Sequence, residues 1–256
     1  MLYLGTSGFS YQDWVGNFYP KGTRRQDWLR YYANEFNALE LNSSYYAIPS
    51  ATVVNSLIAR TGEEFQFAIK LHQSMTHDVN VADEAPFTAF NQMLQPFIDS
   101  GKLGCILAQF PYSFRYNKQN QDYIEKVKDE FEDLPLVVEF RSIYWIKPEV
   151  FKWLRSLNVG FCCVDEPHLP NLIPPLVEVT GNIAYLRFHG RNSAKWWHHQ
   201  EAYERYDYTY SREELQEWIP GIKKLESQSE KTFIFANNHW KSQSVDTIRQ
   251  LKLMLD

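Results

Sequence analysis

Four groups able to move protons fall at or near the C-terminal ends of strand-like segments: Glu40, Glu139, Asp165 and His189. Carboxylates at such positions exchange protons with a bound molecule, and a histidine can shuttle them. Three cations fall at equivalent positions, Lys70, Arg141 and Arg187, and these are natural partners for phosphate or carboxylate. Asn42, Gln109, Asn237 and Asn238 suit hydroxyls or amides. With Tyr46 and Arg191 they complete the ligand-contacting set Asn42, Tyr46, Lys70, Gln109, Arg141, Arg187, Arg191, Asn237 and Asn238; the catalytic set is Glu40, Glu139, Asp165 and His189. The competing structural reading is that Lys70, Arg141 and Arg187 only neutralise Glu40, Glu139 and Asp165. Buried charge is expensive and seldom kept for stability alone, which favours a ligand site.

Other chemistries find less support. Glu40, Glu139, Asp165 and His189 could surround a divalent metal, but no two have the tight spacing of a helical zinc motif, and three cations nearby oppose one. No metal ligand is assigned and no cofactor is expected, with divalent metal left open. Gly5-Thr6-Ser7-Gly8 is not the G-x-S-x-G elbow of serine hydrolases.

These residues converge only if the chain folds so that successive strand ends meet. Short apolar runs alternate with helical patterns, as in βαβ units of a parallel sheet. Strands are expected at Leu2–Thr6, Ala38–Ser43, Phe65–Leu71, Leu103–Phe110, Leu136–Phe140, Gly160–Val164, Ile183–His189 and Thr232–Ala236. Helices are expected near Arg25–Phe36, from Pro49-Ser50 to Gly62, and after the loop Asp83-Glu84-Ala85-Pro86. Others are expected over Gln119–Phe131 and Glu149–Leu157, from Ser211, and over Val245–Leu255. The proline-rich Pro167–Pro175 has no helical period, so the sixth helix is expected to be reduced or lost. A long aromatic insertion, Gly190–Tyr210, follows the seventh strand. Eight strands without a G-x-G-x-x-G turn predict an α/β TIM (β/α)8 barrel rather than an open doubly wound sheet.

Side chains alternate along a strand, so one face of each points into the barrel. The inward sets are read as Glu40, Asn42, Ser44; Ala68, Lys70, His72; Cys105, Leu107, Gln109; Val137, Glu139, Arg141; Phe161, Cys163, Asp165; Tyr185, Arg187, His189; and Phe233, Phe235, Asn237. Nearly every set turns polar toward its C-terminal end, the rim where barrels bind ligands. The rings of the insertion are expected to pack an irregular loop, with one or two reaching the ligand.

The 256 residues suit one barrel, and no linker or repeat divides residues 1–256. A net charge of −5 disfavours nucleic acid and anionic membrane as broad electrostatic partners, although a nucleic-acid fragment is among the ligands such a rim admits. Cys105, Cys162 and Cys163 read as buried thiols in a reducing compartment. Met1–Thr6 lacks the basic and apolar regions of a signal peptide, and no run approaches the ~18–20 apolar residues of a membrane span. A cytoplasmic location is expected.

Several motifs resemble the family called domain of unknown function 72, also known as YecE-like. They are Gly5-Thr6-Ser7-Gly8 with Trp14, Phe18 and Tyr19; Glu40-Leu41-Asn42-Ser43-Ser44-Tyr45-Tyr46; and Phe67-Ala68-Ile69-Lys70 with Thr76-His77. Gln109-Phe110-Pro111 with Ser113-Phe114, Glu139-Phe140-Arg141 with Trp145, Arg187-Phe188-His189-Gly190-Arg191 and Phe235-Ala236-Asn237-Asn238-His239 complete the pattern. The resemblance implies a TIM-type barrel and carries no established activity. Its fold is loosely similar to the endonuclease IV and sugar-isomerase barrels, but the histidine and carboxylate zinc ligands of endonuclease IV are not matched here. The expectation is a protein that binds an anionic or polyhydroxyl ligand at the rim, such as a sugar phosphate or nucleic-acid fragment, with acid/base chemistry by rim carboxylates. The alternatives are a binding module without catalysis and a metal-dependent hydrolase resembling endonuclease IV.

Overall fold

A computed structural model describes residues 1–79 and 84–255. Eight parallel strands close on themselves: β1 (Leu2–Ser7), β2 (Ala38–Leu41), β3 (Gln66–Lys70), β4 (Leu103–Gln109), β5 (Leu136–Glu139), β6 (Gly160–Asp165), β7 (Ile183–Phe188) and β8 (Lys231–Ala236). Closure is made by β1 pairing with β8 over Leu2–Thr6. The helices around the barrel are α1 (Trp28–Ala33), α2 (Ala51–Ile58), α3 (Ala85–Asp99), α4 (Lys118–Glu130), α5 (Pro148–Ser156), α6 (Arg212–Gln216), α7 (Ile219–Gln228) and α8 (Gln243–Leu255). None of them is long and apolar enough to cross a membrane. As expected, no helix joins β6 to β7 among the described residues. Asp83, read in the loop before α3, lies outside the described residues.

Local chemistry explains the boundaries. β2 stops at Leu41 rather than Ser43 because Asn42 turns helical (φ −81°, ψ −21°) and a 3-10 turn follows. Asn117 caps α4, and Ser211 opens α6 with a full capping box to Glu214. The single helix expected from Ser211 breaks into α6 and α7 because Pro220 has no N–H to continue the ladder. The first helix shortens to α1, preceded by a 3-10 turn over Arg25–Asp27.

Rings plug the barrel below the rim. Tyr3 stacks on Phe233 at 4.8 Å, and Tyr185 packs on Phe233 and Phe235. Gly104 makes room for this plug, since a Cβ there would lie 2.6 Å from the Phe233 ring. At Gly5 a Cβ would lie 2.1 Å from the Ala38 carbonyl, so the residue must be glycine for β1 to approach β2. The Tyr32 hydroxyl bridges the same seam, accepting from Thr6 N and donating to Ala38 O.

Candidate functional site

Alternation along β2, β5 and β7 brings Glu40, Glu139 and Arg187 together inside the barrel. Arg187 donates from Nη2 to Glu40 Oε1 and from Nη1 to Glu139 Oε2, each at 2.6 Å. Tyr185 donates its hydroxyl to Glu40 Oε2 at 2.7 Å, and Arg187 Nη2 also reaches Ser7 Oγ at 3.3 Å. Glu139 is further held by Arg141 Nε at 2.8 Å and His189 Nε2 at 3.2 Å. Burial pushes the Glu139 pKa up, but Arg141, Arg187 and His189 outweigh burial and hold it well below the usual carboxylate range. Burial and the Arg141 charge depress His189 to about 3, so the ring is neutral. With Glu139 beside Nε2, the proton sits on Nε2, and Nδ1 accepts from Asn237 Nδ2 at 3.1 Å. Glu139 therefore spends its lone pairs on donors and has no capacity left to act as a base.

Above this layer lies the mouth. A cavity of about 230 Å³ is lined by Tyr11, Asn42, Tyr45, Tyr46, Lys70, Gln109, Arg141, Arg187, Tyr206, Asn237 and His239. Beside it, sharing Gln109, Arg141 and Tyr206, lies a second of about 280 Å³ with His77, Pro111, Tyr112, Leu172, Trp196, Trp197 and Arg205 on its walls. The first lobe is polar and cationic and the second aromatic. A larger cavity, about 480 Å³, opens at the opposite end between strand starts and includes Lys128, Asp133, Glu230 and Lys231. That is the N-terminal face of the barrel, which serves stability in this fold, and it does not touch the charge network.

Lys70 is unusual among the mouth cations. Its Nζ donates to Gln109 Oε1 at 2.9 Å and sits 4.3 Å from the Tyr45 ring centroid. Among the described residues no carboxylate pairs with it. Burial and then the Arg187 charge lower its pKa to about 7. His77, in the second lobe, is lowered to about 4 by burial and then Lys70.

The inward reading of β6 is reversed in the structure. Val164 pairs with the inward Arg187 and Asp165 with Phe188. Cys162 faces the interior, with Sγ 3.8 Å from Glu139 Oε2, whereas Phe161 packs on Phe151 of α5 and Cys163 contacts the Glu178 backbone. Asp165 thus points toward the helices. It accepts from Tyr210 Oη and Trp218 Nε1 at 2.6 Å each, and from Arg191 Nη2 at 2.7 Å. Arg191 is bound to that carboxylate and to Glu217, away from both lobes. Asn238 donates to Tyr208 O and Thr247 Oγ1 and also lies outside the mouth. Of the other residues assigned from sequence, Asn42, Tyr46, Lys70, Gln109, Arg141, Arg187 and Asn237 line the first lobe, while Glu40, Glu139 and His189 lie buried beneath it.

Glu166 replaces Asp165 on the inner face. Its Oε1 accepts from Ile173 N at 3.0 Å and its Oε2 faces Arg141 Nη1 at 3.4 Å. Burial raises its pKa to about 7 despite Arg141. It lies between the strand end and the proline-rich stretch and carried no signal of its own. Ser7, Tyr11, Tyr45, Tyr206 and His239 were missed as well, Tyr206 because one ring among many in the insertion could not be singled out. A carboxyl whose folded pKa exceeds its unfolded value of about 4.5 binds more protons when folded, so stability falls as pH rises from 4.5 through 7. Glu166→Gln is expected to abolish this fall, ~3 kcal/mol, in urea melts between pH 5 and 8. An unchanged pH profile would contradict the assignment.

Residues 3–256 match the family model described as "Protein of unknown function DUF72". A curated relative, the UPF0759 protein YunF of Bacillus subtilis (strain 168), is 31% identical, the match covering 100% of this chain and 95% of that protein. Among solved structures, a DUF72 family protein from Thermotoga maritima MSB8 superposes with a TM-score of 0.92 at 37% identity, covering 100% of this chain and 99% of the other. A DUF72 family protein from Enterococcus faecalis V583 does so with 0.89 at 27% identity, covering 100% and 95%. With its family model matched almost end to end and these relatives covered over nearly their whole length, the chain belongs to the DUF72 family.

Proposed function

We propose that the mouth binds a small polyhydroxyl anion such as a sugar phosphate, with the buried carboxylates holding the arginines in place. The observation that carries this reading is a set of orphaned polar atoms. Asn42 Oδ1, His239 Nδ1 and Arg187 Nε are buried without a hydrogen-bond partner, and all three residues line the same lobe. Buried polar atoms rarely stay unpaired, so three of them on residues around one cavity support a role in contacting polar atoms of a ligand. Asn42 Oδ1 calls for a hydroxyl donor, and His239 Nδ1 accepts or donates according to its tautomer. Arg187 Nε, Arg141 and protonated Lys70 call for an anionic acceptor. The aromatic lobe next door can cover the flat face of a sugar or ring.

Proton transfer by Glu40 or Glu139 draws no support from geometry, since Glu139 is saturated by donors and both oxygens of the buried Glu40 are held, one by Arg187 and one by Tyr185. The hydrolase reading draws none either: among the described residues, no group of three or more His, Cys, Asp or Glu side chains is arranged to hold a metal ion.

Titration with inorganic phosphate and with ribose 5-phosphate, read by thermal melting, tests the proposal. At 100 times its Kd the better ligand is expected to add about 2.7 kcal/mol of stability. Arg141→Ala is expected to lose that ligand-induced gain. A wild-type melting curve unmoved by both compounds would overturn the proposal.

A further inference from the structure

We propose that Lys70 captures carbonyl compounds: its amine condenses with an aldehyde or ketone that carries an anionic group, forming an iminium in the mouth. This rests on the anion-binding reading of the same lobe and adds the class of substrate, an open-chain sugar phosphate or a related oxo-acid.

The geometry is that of an activated amine. Lys70 ends β3 on the inner face, so its nitrogen stands at the C-terminal mouth, where barrel chemistry occurs. Arg141 and Arg187 are each ion-paired with carboxylates, but among the described residues Lys70 has only the Gln109 amide oxygen and the face of Tyr45. Gln109 is fixed in that orientation because its Nε2 donates to Phe110 O at 2.9 Å. One N–H is thereby held, leaving the rest of the nitrogen's valence toward the cavity. The groups acting on it are Arg187, Arg141, Glu139, Glu40 and Tyr45, with His77 alongside, and the two guanidiniums and burial favour the neutral amine. A desolvated lysine beside other cations is a recognised way to make this side chain nucleophilic at neutral pH. Such a lysine in a purely structural role would be expected to have a carboxylate partner.

The step balances without a co-reactant. Lys70 loses one proton, and its lone pair attacks the carbonyl carbon while the C=O π electrons move to oxygen. The resulting carbinolamine expels that oxygen as water, which carries away two of the three ammonium protons. The iminium keeps the third proton and the single positive charge. The substrate's anionic group pairs with Arg141, whose Nε and Nη1 are taken by Glu139 and Glu166 and which lines both lobes.

The full-length protein is incubated with glyceraldehyde 3-phosphate and sodium cyanoborohydride, and the reduced adduct is located by peptide mass spectrometry across a pH series. The adduct is expected on Lys70, roughly 10²–10³ times faster at pH 7 than on exposed lysines, because an ordinary lysine has a pKa of about 10.4. Its rate should reach half-maximum near pH 7, saturating inorganic phosphate should slow it, and Lys70→Arg should remove it. Adducts spread over surface lysines, with Lys70 unmodified, would overturn the inference. If phosphate still stabilises the protein in that case, anion binding stands and carbonyl capture alone falls. Labelling at Lys70 in a protein that phosphate neither stabilises nor protects would support capture and remove the anion site.

Discussion

Arg187→Met is expected to lower the unfolding free energy by about 3–5 kcal/mol at neutral pH. The guanidinium joins two carboxylates on opposite walls of the barrel, at 2.6 Å to each. Methionine fills much of the volume but leaves Glu40 with the Tyr185 hydroxyl, and Glu139 with Arg141 and His189. The loss comes from stranding charge in a dry interior more than from losing attraction. The pH dependence separates these effects. In the wild type the Glu139 pKa is depressed, so its contribution is present above the unfolded value of about 4.5 and disappears as pH falls through the folded value. In the variant, a stranded carboxylate gains by taking up a proton as pH falls. Both trends shrink the difference between the two proteins in acid. Urea melts at pH 7.5 and at about pH 3 should show a deficit that narrows; a constant deficit would indicate a packing defect.

Asp165→Asn is expected to cost about 3–5 kcal/mol and to leave phosphate binding unchanged. The carboxylate receives hydrogen bonds from Arg191, Tyr210 and Trp218, fastening β6 to the insertion and to the start of α7. An amide offers one oxygen and turns an NH2 toward donors, so part of the set is left facing like groups. Its side chain points away from the mouth, so phosphate should raise the melting temperature of the variant by the wild-type increment. A loss of that increment with melting otherwise preserved would place Asp165 in the ligand site after all.

The contrast between these residues shows what the sequence could and could not convey. On β5 and β7 the rule of alternation places Glu139 and Arg187 correctly, because polar and apolar positions interleave and only one register puts the charges inside. On β6, Gly160-Phe161-Cys162-Cys163-Val164-Asp165 is buried on both faces. Its alternation carries no contrast, and its one polar residue, Asp165, reads as an inward marker. In fact it is satisfied from the helix side by partners 26 to 53 positions away, which no local pattern reveals. The same distance effect hides Tyr206 and His239, brought to the mouth by loops after β7 and β8. The barrel, the lost helix between β6 and β7, and the polar rim were legible because they depend on element order and strand ends.

The aromatic plug formed by Tyr3, Tyr185, Phe233 and Phe235 also constrains traffic. With no passage through the axis, whatever enters past Tyr46 and Trp197 must leave the same way. Anything released and anything arriving would share this one doorway. A product held there would compete with the next molecule for the same lining residues.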